Sequence, residues 1–194
     1  MRGKKIEGSN VYLAPLEVSD AETISKWLSE ETLSRGFNIS FQYISEFYEK
    51  NELEKICNND NNGYFAVIRK QDDKLIGVYN LQSTFNKDRF STIGGYIGDI
   101  NERNKGFGTE ALKLVCDFAF NVIGYHTLAV TIFSFNHASI ISAEKVGFKK
   151  IGELKERCYY NGKFYSEYIF QLIDRDFNKL WKTNLKPLNR RINK

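Results

Sequence analysis

The segment Arg103-Asn104-Lys105-Gly106-Phe107-Gly108-Thr109-Glu110-Ala111 carries the most specific chemistry in the chain. Two glycines let the backbone turn tightly and come close to a ligand. An apolar-periodic run follows. The free amides of its first helical turn would converge on one point, backed by the positive end of the helix dipole. Arg103 and Lys105 add charge. Such a turn suits phosphate, and pyrophosphate best. A Walker loop is excluded, because no Gly-Lys-Ser/Thr occurs. The spacing Gly106-x-Gly108-x-x-Ala111 meets the first half of a dinucleotide fingerprint. The second half fails, since the next strand ends Phe133-Ser134-Phe135-Asn136 with no acid for a ribose. Three scattered cysteines (Cys57, Cys116, Cys158) with no C-x-x-C, and two histidines, speak against a metal centre and for reduced thiols in a cytoplasmic protein.

Presenting that turn requires a strand before it and a helix after it. Residues 92–99 read as the strand. Residues 109–122 read as the helix, with Ala111, Leu114, Val115, Phe118 and Val122 on one face. Upstream, residues 11–13 read as a strand. Ser19-Asp20-Ala21-Glu22 has the capping-box pattern, and Ala21, Ile24, Trp27 and Leu28 share a face of the helix that follows. A second helix is expected over 45–56. Residues 64–69 and 75–81 flank Asp72-Asp73-Lys74 as a hairpin.

Downstream, 128–133 is β-branched and apolar, a buried strand. Asn136 is placed to cap a helix over 137–146, and Gly147 to end it. Residues 148–159 and 164–173 flank Asn161-Gly162, the strongest hairpin signal present. Asp174 is placed to cap a last helix through Trp181. The order predicts an α+β fold, a mixed sheet with helices on its faces.

At 194 residues, 42% hydrophobic, the chain suits one domain. No apolar run approaches the ~18 residues of a membrane helix. Residues 179–194 hold six cations and no acid, which exceeds the whole-chain charge of +4, so residues 1–178 sum to −2. The basic balance belongs to the tail, and nucleic acid is not an expected partner. The expected division is a domain over 1–178 and a basic helix end and tail over 179–194.

Three features together resemble the GCN5-related N-acetyltransferase (GNAT) superfamily, in its ribosomal-protein alanine acetyltransferase (RimJ/RimL-type) branch. The first is Arg103-x-x-Gly106-x-Gly108, continued by Thr109-Glu110-Ala111. The second is Asn136, Ser139, Glu144, Lys145, Gly147 and Phe148 in the order Asn-x-x-Ser…Glu-Lys-x-Gly-Phe. The third is the opening Val11-Tyr12-Leu13-Ala14-Pro15-Leu16 before a Trp-bearing helix, with Ala14 where the branch usually has Arg. The resemblance covers about residues 6–177.

The resemblance implies a single-domain GNAT-like fold, with a mostly antiparallel sheet and a splayed strand pair that binds acetyl-CoA. Pyrophosphate would lie on the amides of Lys105, Gly106, Phe107, Gly108 and Thr109, beside Arg103. Pantetheine would run along the strand ending at Gly98 and Asp99. Asn136 would meet its amide, Ser139 would lie near the sulfur, and Lys145 belongs to the same signature. No metal is implied. An amine, on a small molecule or a protein N-terminus, would attack the thioester directly. The Tyr that many members place seven residues after the Asn is Ala143 here, which leaves Ser139 as the acid. Glu156, Glu167 and Asp99 are the candidate bases, and amides near Gly98 the oxyanion donors. Trp27, Phe37, Tyr160 and Tyr165 would wall the acceptor pocket. A monomer or homodimer is expected. The alternatives are a non-catalytic acyl-CoA-binding domain and, disfavoured by the missing ribose acid, a dinucleotide oxidoreductase.

Overall fold

The computed structural model describes residues 3, 6–30, 33, 44–58, 63–82 and 87–183. Its strands are β1 (Ile6–Glu7), β2 (Val11–Ala14), β3 (Tyr64–Arg69), β4 (Lys74–Leu81), β5 (Phe90–Ile97), β6 (Thr127–Phe133), β7 (Lys149–Tyr160) and β8 (Lys163–Ile173). The helices are α1 (Ala21–Leu28), α2 (Glu46–Cys57), α3 (Phe107–Asp117), α4 (His137–Val146) and α5 (Asp174–Leu180). The strands form one sheet in the order β1-β2-β3-β4-β5-β6-β8-β7. Every neighbouring pair is antiparallel except β5–β6.

Side-chain alternation gives the sheet two faces. On the first, Leu13, Val67, Ile93, Leu128 and Phe170 pack with Ala111 and Val115 of α3, Val146 of α4 and Phe177 of α5. On the second, Tyr12, Ala66, Ile68 and Val78 pack with Ile24 and Trp27 of α1 and Leu53 of α2. The first layer spans both halves of the sheet, while the second covers the half built from β2 to β5.

The parallel pair ends early. Phe90, Ser91 and Thr92 pair with Thr127, Leu128 and Ala129, and the register stops there. From Ile93 onward β5 stays with β4, while β6 stays with β8. The expected splay is therefore present, and it opens toward the loop that precedes α3.

Several local features differ from the sequence reading. Ser19 and Glu22 form no capping box. The Glu17 amide donates to Asp20 Oδ2 at 2.9 Å, and Glu22 pairs with Lys26 at 2.5 Å instead. The helix expected over 109–122 is α-helical only to Asp117, after which Phe118–Ile123 widens to a π-type turn. That widening brings both Phe118 and Phe120 inward, against Phe65 and Phe177 respectively. Asp174 is the first residue of α5, not its cap. Its carboxylate accepts from the Arg175 amide and lies 3.2 Å from His126 Nδ1. The boundary drawn at 178 falls inside α5, and Trp181 Nε1 donates to Val146 O, so the packed fold runs on to Trp181. Residues 184–194 of the tail lie outside the described residues. The Asn161-Gly162 turn forms as read. Both residues are left-handed, with φ of 47° and 75°, as a type I′ hairpin demands.

Candidate active site

The open edge of β5 can be assigned atom by atom. Thr92 O accepts from the Gln82 amide, and the Gly98 amide donates to Ile76 O. Peptide groups alternate sides along a strand, so even positions face β4. Gly95 and Ile97 therefore turn their peptide groups, and Ile93 its C=O, toward the gap that β6 has left. Ile97 O is already occupied by Arg103 Nε at 3.0 Å.

The loop that follows is held from within. Arg103 also donates to Gly98 O at 2.8 Å and lies 3.5 Å from Glu30. Its guanidinium thus fastens the end of β5, where the sequence reading had it adding charge for a phosphate. Asp99 is likewise committed. It accepts from the Asn101 amide and from Lys74 Nζ at 2.6 Å, and the Lys74 hydrogen bond holds its carboxyl below the usual range. A free base is therefore not found at Asp99. Buried Glu102 meets Arg69 at 2.6 Å and Lys105 at 3.3 Å. The Gly98 peptide is bonded at both its N–H and its C=O.

Asn104 and Gly106 adopt left-handed φ values of 63° and 88° on either side of Lys105. A Cβ on Gly106 would meet nothing within 4 Å, so the turn presents bare backbone outward. The first i→i−4 bond of α3 runs from the Glu110 amide to Gly106 O. The amides of Phe107, Gly108 and Thr109 precede it and remain available to an anion. Tyr79 Oη, buried beneath, donates to Gly108 O at 3.0 Å and steadies this turn. Burial pushes the Tyr79 phenol up, with Cys116 adding to the effect, so it stays a donor.

The second signature meets the first. Thr109 Oγ1 and Ser142 Oγ lie 3.0 Å apart, joining the start of α3 to α4. Asn136 caps α4, its Oδ1 accepting from the Ser139 amide at 3.2 Å. Ser139 lies one turn before Ser142 and so shares its side of α4. Its hydroxyl is half-buried and has no hydrogen-bond partner among the described residues. The capping duty falls on Asn136, whose side chain accepts from the Ser139 amide. Lys145 is exposed one turn beyond Ser142.

The chain from residue 10 to 149 matches the family model described as "Acetyltransferase (GNAT) domain". The protein belongs to this family. Among curated relatives it is 31% identical to the SPbeta prophage-derived uncharacterized N-acetyltransferase YokL of Bacillus subtilis, over 88% of this chain and 93% of that one. Among solved structures it resembles a spermidine N-acetyltransferase from Vibrio cholerae in complex with CoA and spermine. There the TM-score is 0.77 at 20% identity, over 88% of this chain and 99% of that one. It also resembles a ribosomal-protein-S5-alanine acetyltransferase from Vibrio fischeri, with a TM-score of 0.72 at 21% identity over 88% and 97%. These two neighbours share a fold with this chain and carry different acceptors in their names.

In this GNAT acetyltransferase the remaining expected site residues fall on the hairpin and on the α1 side. Glu156 is exposed on a bulge, in the left-handed region, where residues 155–157 of β7 stand opposite Ser166. Glu167 is half-buried. It pairs in register with Phe133 at the end of β6, with Arg157 Nε 3.8 Å away. Tyr160 and Tyr165 do come together, both packing on Phe135 just past β6. Buried Cys158 sits beside Arg157 and Glu167, and burial pushes its thiol up, as expected of an inert thiol. Trp27 is buried in the core against Gly98. Phe37 lies outside the described residues.

The sequence reading missed a cavity of about 390 Å³ under α1 and α2 on the second face, walled in part by Glu49, Tyr64, Asn80 and Tyr96. The signal was available. Tyr64, Asn80 and Tyr96 are polar-tipped residues at inward positions of otherwise apolar strands, and were read only as strand.

Proposed function

We propose that this acetyltransferase moves the acetyl group of acetyl-CoA to a primary amine by direct attack. The observation that carries the reading is the parting of β5 from β6 beside the α3 N-terminus. Pantetheine is a peptide-like arm, and the Ile93 carbonyl and the Gly95 peptide offer it an open strand edge. The amides of Phe107, Gly108 and Thr109, with exposed Lys105 beside them, suit its pyrophosphate.

The amine must arrive neutral. Its lone pair attacks the thioester carbonyl carbon, forming the C–N bond. The Gly95 or Ile97 amide stabilises the oxyanion. As the C–S bond breaks and the C=O re-forms, the nitrogen gives its extra proton to water and the thiolate gains one from Ser139, which draws its replacement from that water. Two carboxylates, Glu167 and Glu49, lie on the second face on either side of the splay and can receive the ammonium's proton.

The cysteine content favours a reducing compartment, the cytoplasm. Membership of the ribosomal-protein branch rests on the signature spacing and is part of this proposal.

The test is thiol release from acetyl-CoA, followed with an aliphatic amine, spermidine and an alanine-initiated peptide. Amine-dependent thiol release, with the acetyl group found on the amine, supports the reading. Absence of release with every amine, in a protein that binds CoA, overturns it in favour of a non-catalytic binding domain.

A further inference from the structure

We infer that the cavity between α1, α2 and strands β3–β5 receives a primary amine carried on an apolar body, and that Glu49 takes the proton from its ammonium. This rests on the acetyl-transfer reading and adds the acceptor class to it.

Position comes first. Gly95 and Tyr96, both in the cavity wall, belong to the stretch of β5 that β6 leaves unpaired. The cavity and the open edge are thus two sides of one strand. An amine held at Tyr96 stands next to the edge proposed for the thioester.

Charge comes second. Glu49 is the acid in the cavity wall, and it has no ion-pair partner among the described residues. Of the other carboxylates near the splay, Glu102 is committed to Arg69 and Asp99 to Lys74, while Glu167 lies 3.8 Å from Arg157 and outside the cavity wall. Burial, with the like charge of Glu52 on the same helix, pushes the Glu49 carboxyl up. From the sheet, Tyr64 and Tyr96 face the same space, and Tyr96 registers the charge of Glu49. From α1, Ile24 and Leu28 face it and bring no charge. A half-buried carboxylate with no paired cation among the described residues is a receptor for one ammonium, and its raised basicity suits proton transfer.

Shape comes third. The remaining wall is apolar, with Leu16, Leu53, Ile56 and Val78 among its residues. A polyamine would leave its further ammonium groups among these side chains without partners, which is costly. An alkyl or aralkyl body fills the same space favourably. A volume of about 390 Å³ admits a small molecule of that kind.

The proton balance is simple. The ammonium gives one proton to the Glu49 carboxylate, and the neutral amine attacks. After collapse to amide and thiol, Glu49 returns its proton to water.

The test compares 2-phenylethylamine, n-hexylamine, spermidine and an alanine-initiated peptide as acceptors, with CoA binding measured separately by calorimetry. The expected result is a kcat/KM at least about tenfold higher for the two apolar amines. Glu49→Gln should lower it by about 10²–10⁴-fold, leaving the KM for acetyl-CoA unchanged. Val78→Phe, which fills the cavity, should raise the KM for the apolar amines while CoA binding persists. Preference for spermidine or the peptide overturns the inference alone, as does a Glu49→Gln enzyme within about twofold of the parent. Loss of CoA binding in the parent protein would instead overturn the acetyl-transfer reading, and the inference with it.

Discussion

The Trp27 indole lies where a Cβ on Gly98 would have to go. This contact fixes α1 against the end of β5, at the point where Arg103 also grips Ile97 O and Gly98 O. Trp27 further meets Tyr96 edge-on, with ring centroids 6.4 Å apart. A single aromatic residue thereby touches both the end of β5 and Tyr96 of the cavity wall.

Gly98→Ala should therefore destabilise the fold by overpacking, by about 1–3 kcal/mol. The added methyl meets the rigid Trp27 ring, not the end of a flexible chain. Urea unfolding followed by tryptophan fluorescence gives the value. A midpoint unchanged from the parent would show that Trp27 can move aside freely.

The hydroxyl of Ser139 is assigned to the leaving thiolate. Ser139→Ala should lower kcat by about 10²–10⁴-fold with little change in the KM for acetyl-CoA. Asn136→Ala is the control for capping. It removes the acceptor of the Ser139 amide and should cost stability, about 1 kcal/mol. An unchanged kcat in Ser139→Ala would remove Ser139 from the chemistry.

Much of this arrangement was legible in the sequence, because the features concerned are local. Asn161-Gly162 demands a type I′ turn, Asn136 is a capping residue at the right offset, and Gly106 suits a left-handed turn before α3. What escaped depends on tertiary pairing. Arg103 read as a loose cation because nothing in its own segment reveals that the carbonyls of Ile97 and Gly98 point at it. Trp27 read as a pocket residue because its partner is a glycine 71 positions on, known only from packing. Glu49 carried no signal in its own helix, since the cavity it faces is built by α1 and strands β3 to β5. Ser19-x-x-Glu22 matched a capping pattern, yet Glu17 and Asp20 closed the turn first.

Acid should loosen the loop before α3. At Glu102, burial alone would favour the neutral acid, but hydrogen bonds and charge from Arg69 and Lys105 outweigh it and hold the carboxyl below its ordinary value. Asp99 is held down in the same sense by Lys74. A folded-state pKa below the unfolded one means stability that is present above the unfolded pKa and is lost as pH falls through the folded value. Unfolding midpoints should therefore hold from pH 7 to about 5 and fall below roughly pH 4.5. Glu102→Gln should flatten that fall. An identical acid slope in the variant would show that the Glu102 pairs do not contribute to it.

The central claim is that acetyl-CoA is held by the α3 turn and the open edge of β5. Calorimetric titration of CoA into the parent protein and into Gly108→Glu tests it most directly. A Cβ at Gly108 makes only ordinary contacts, the nearest with Ile97 at 3.4 Å, so the variant should fold. Its carboxylate would stand at the amides assigned to the pyrophosphate. The account predicts clear binding to the parent and at least a tenfold loss in the variant. Equal CoA affinity in a folded Gly108→Glu protein would contradict it.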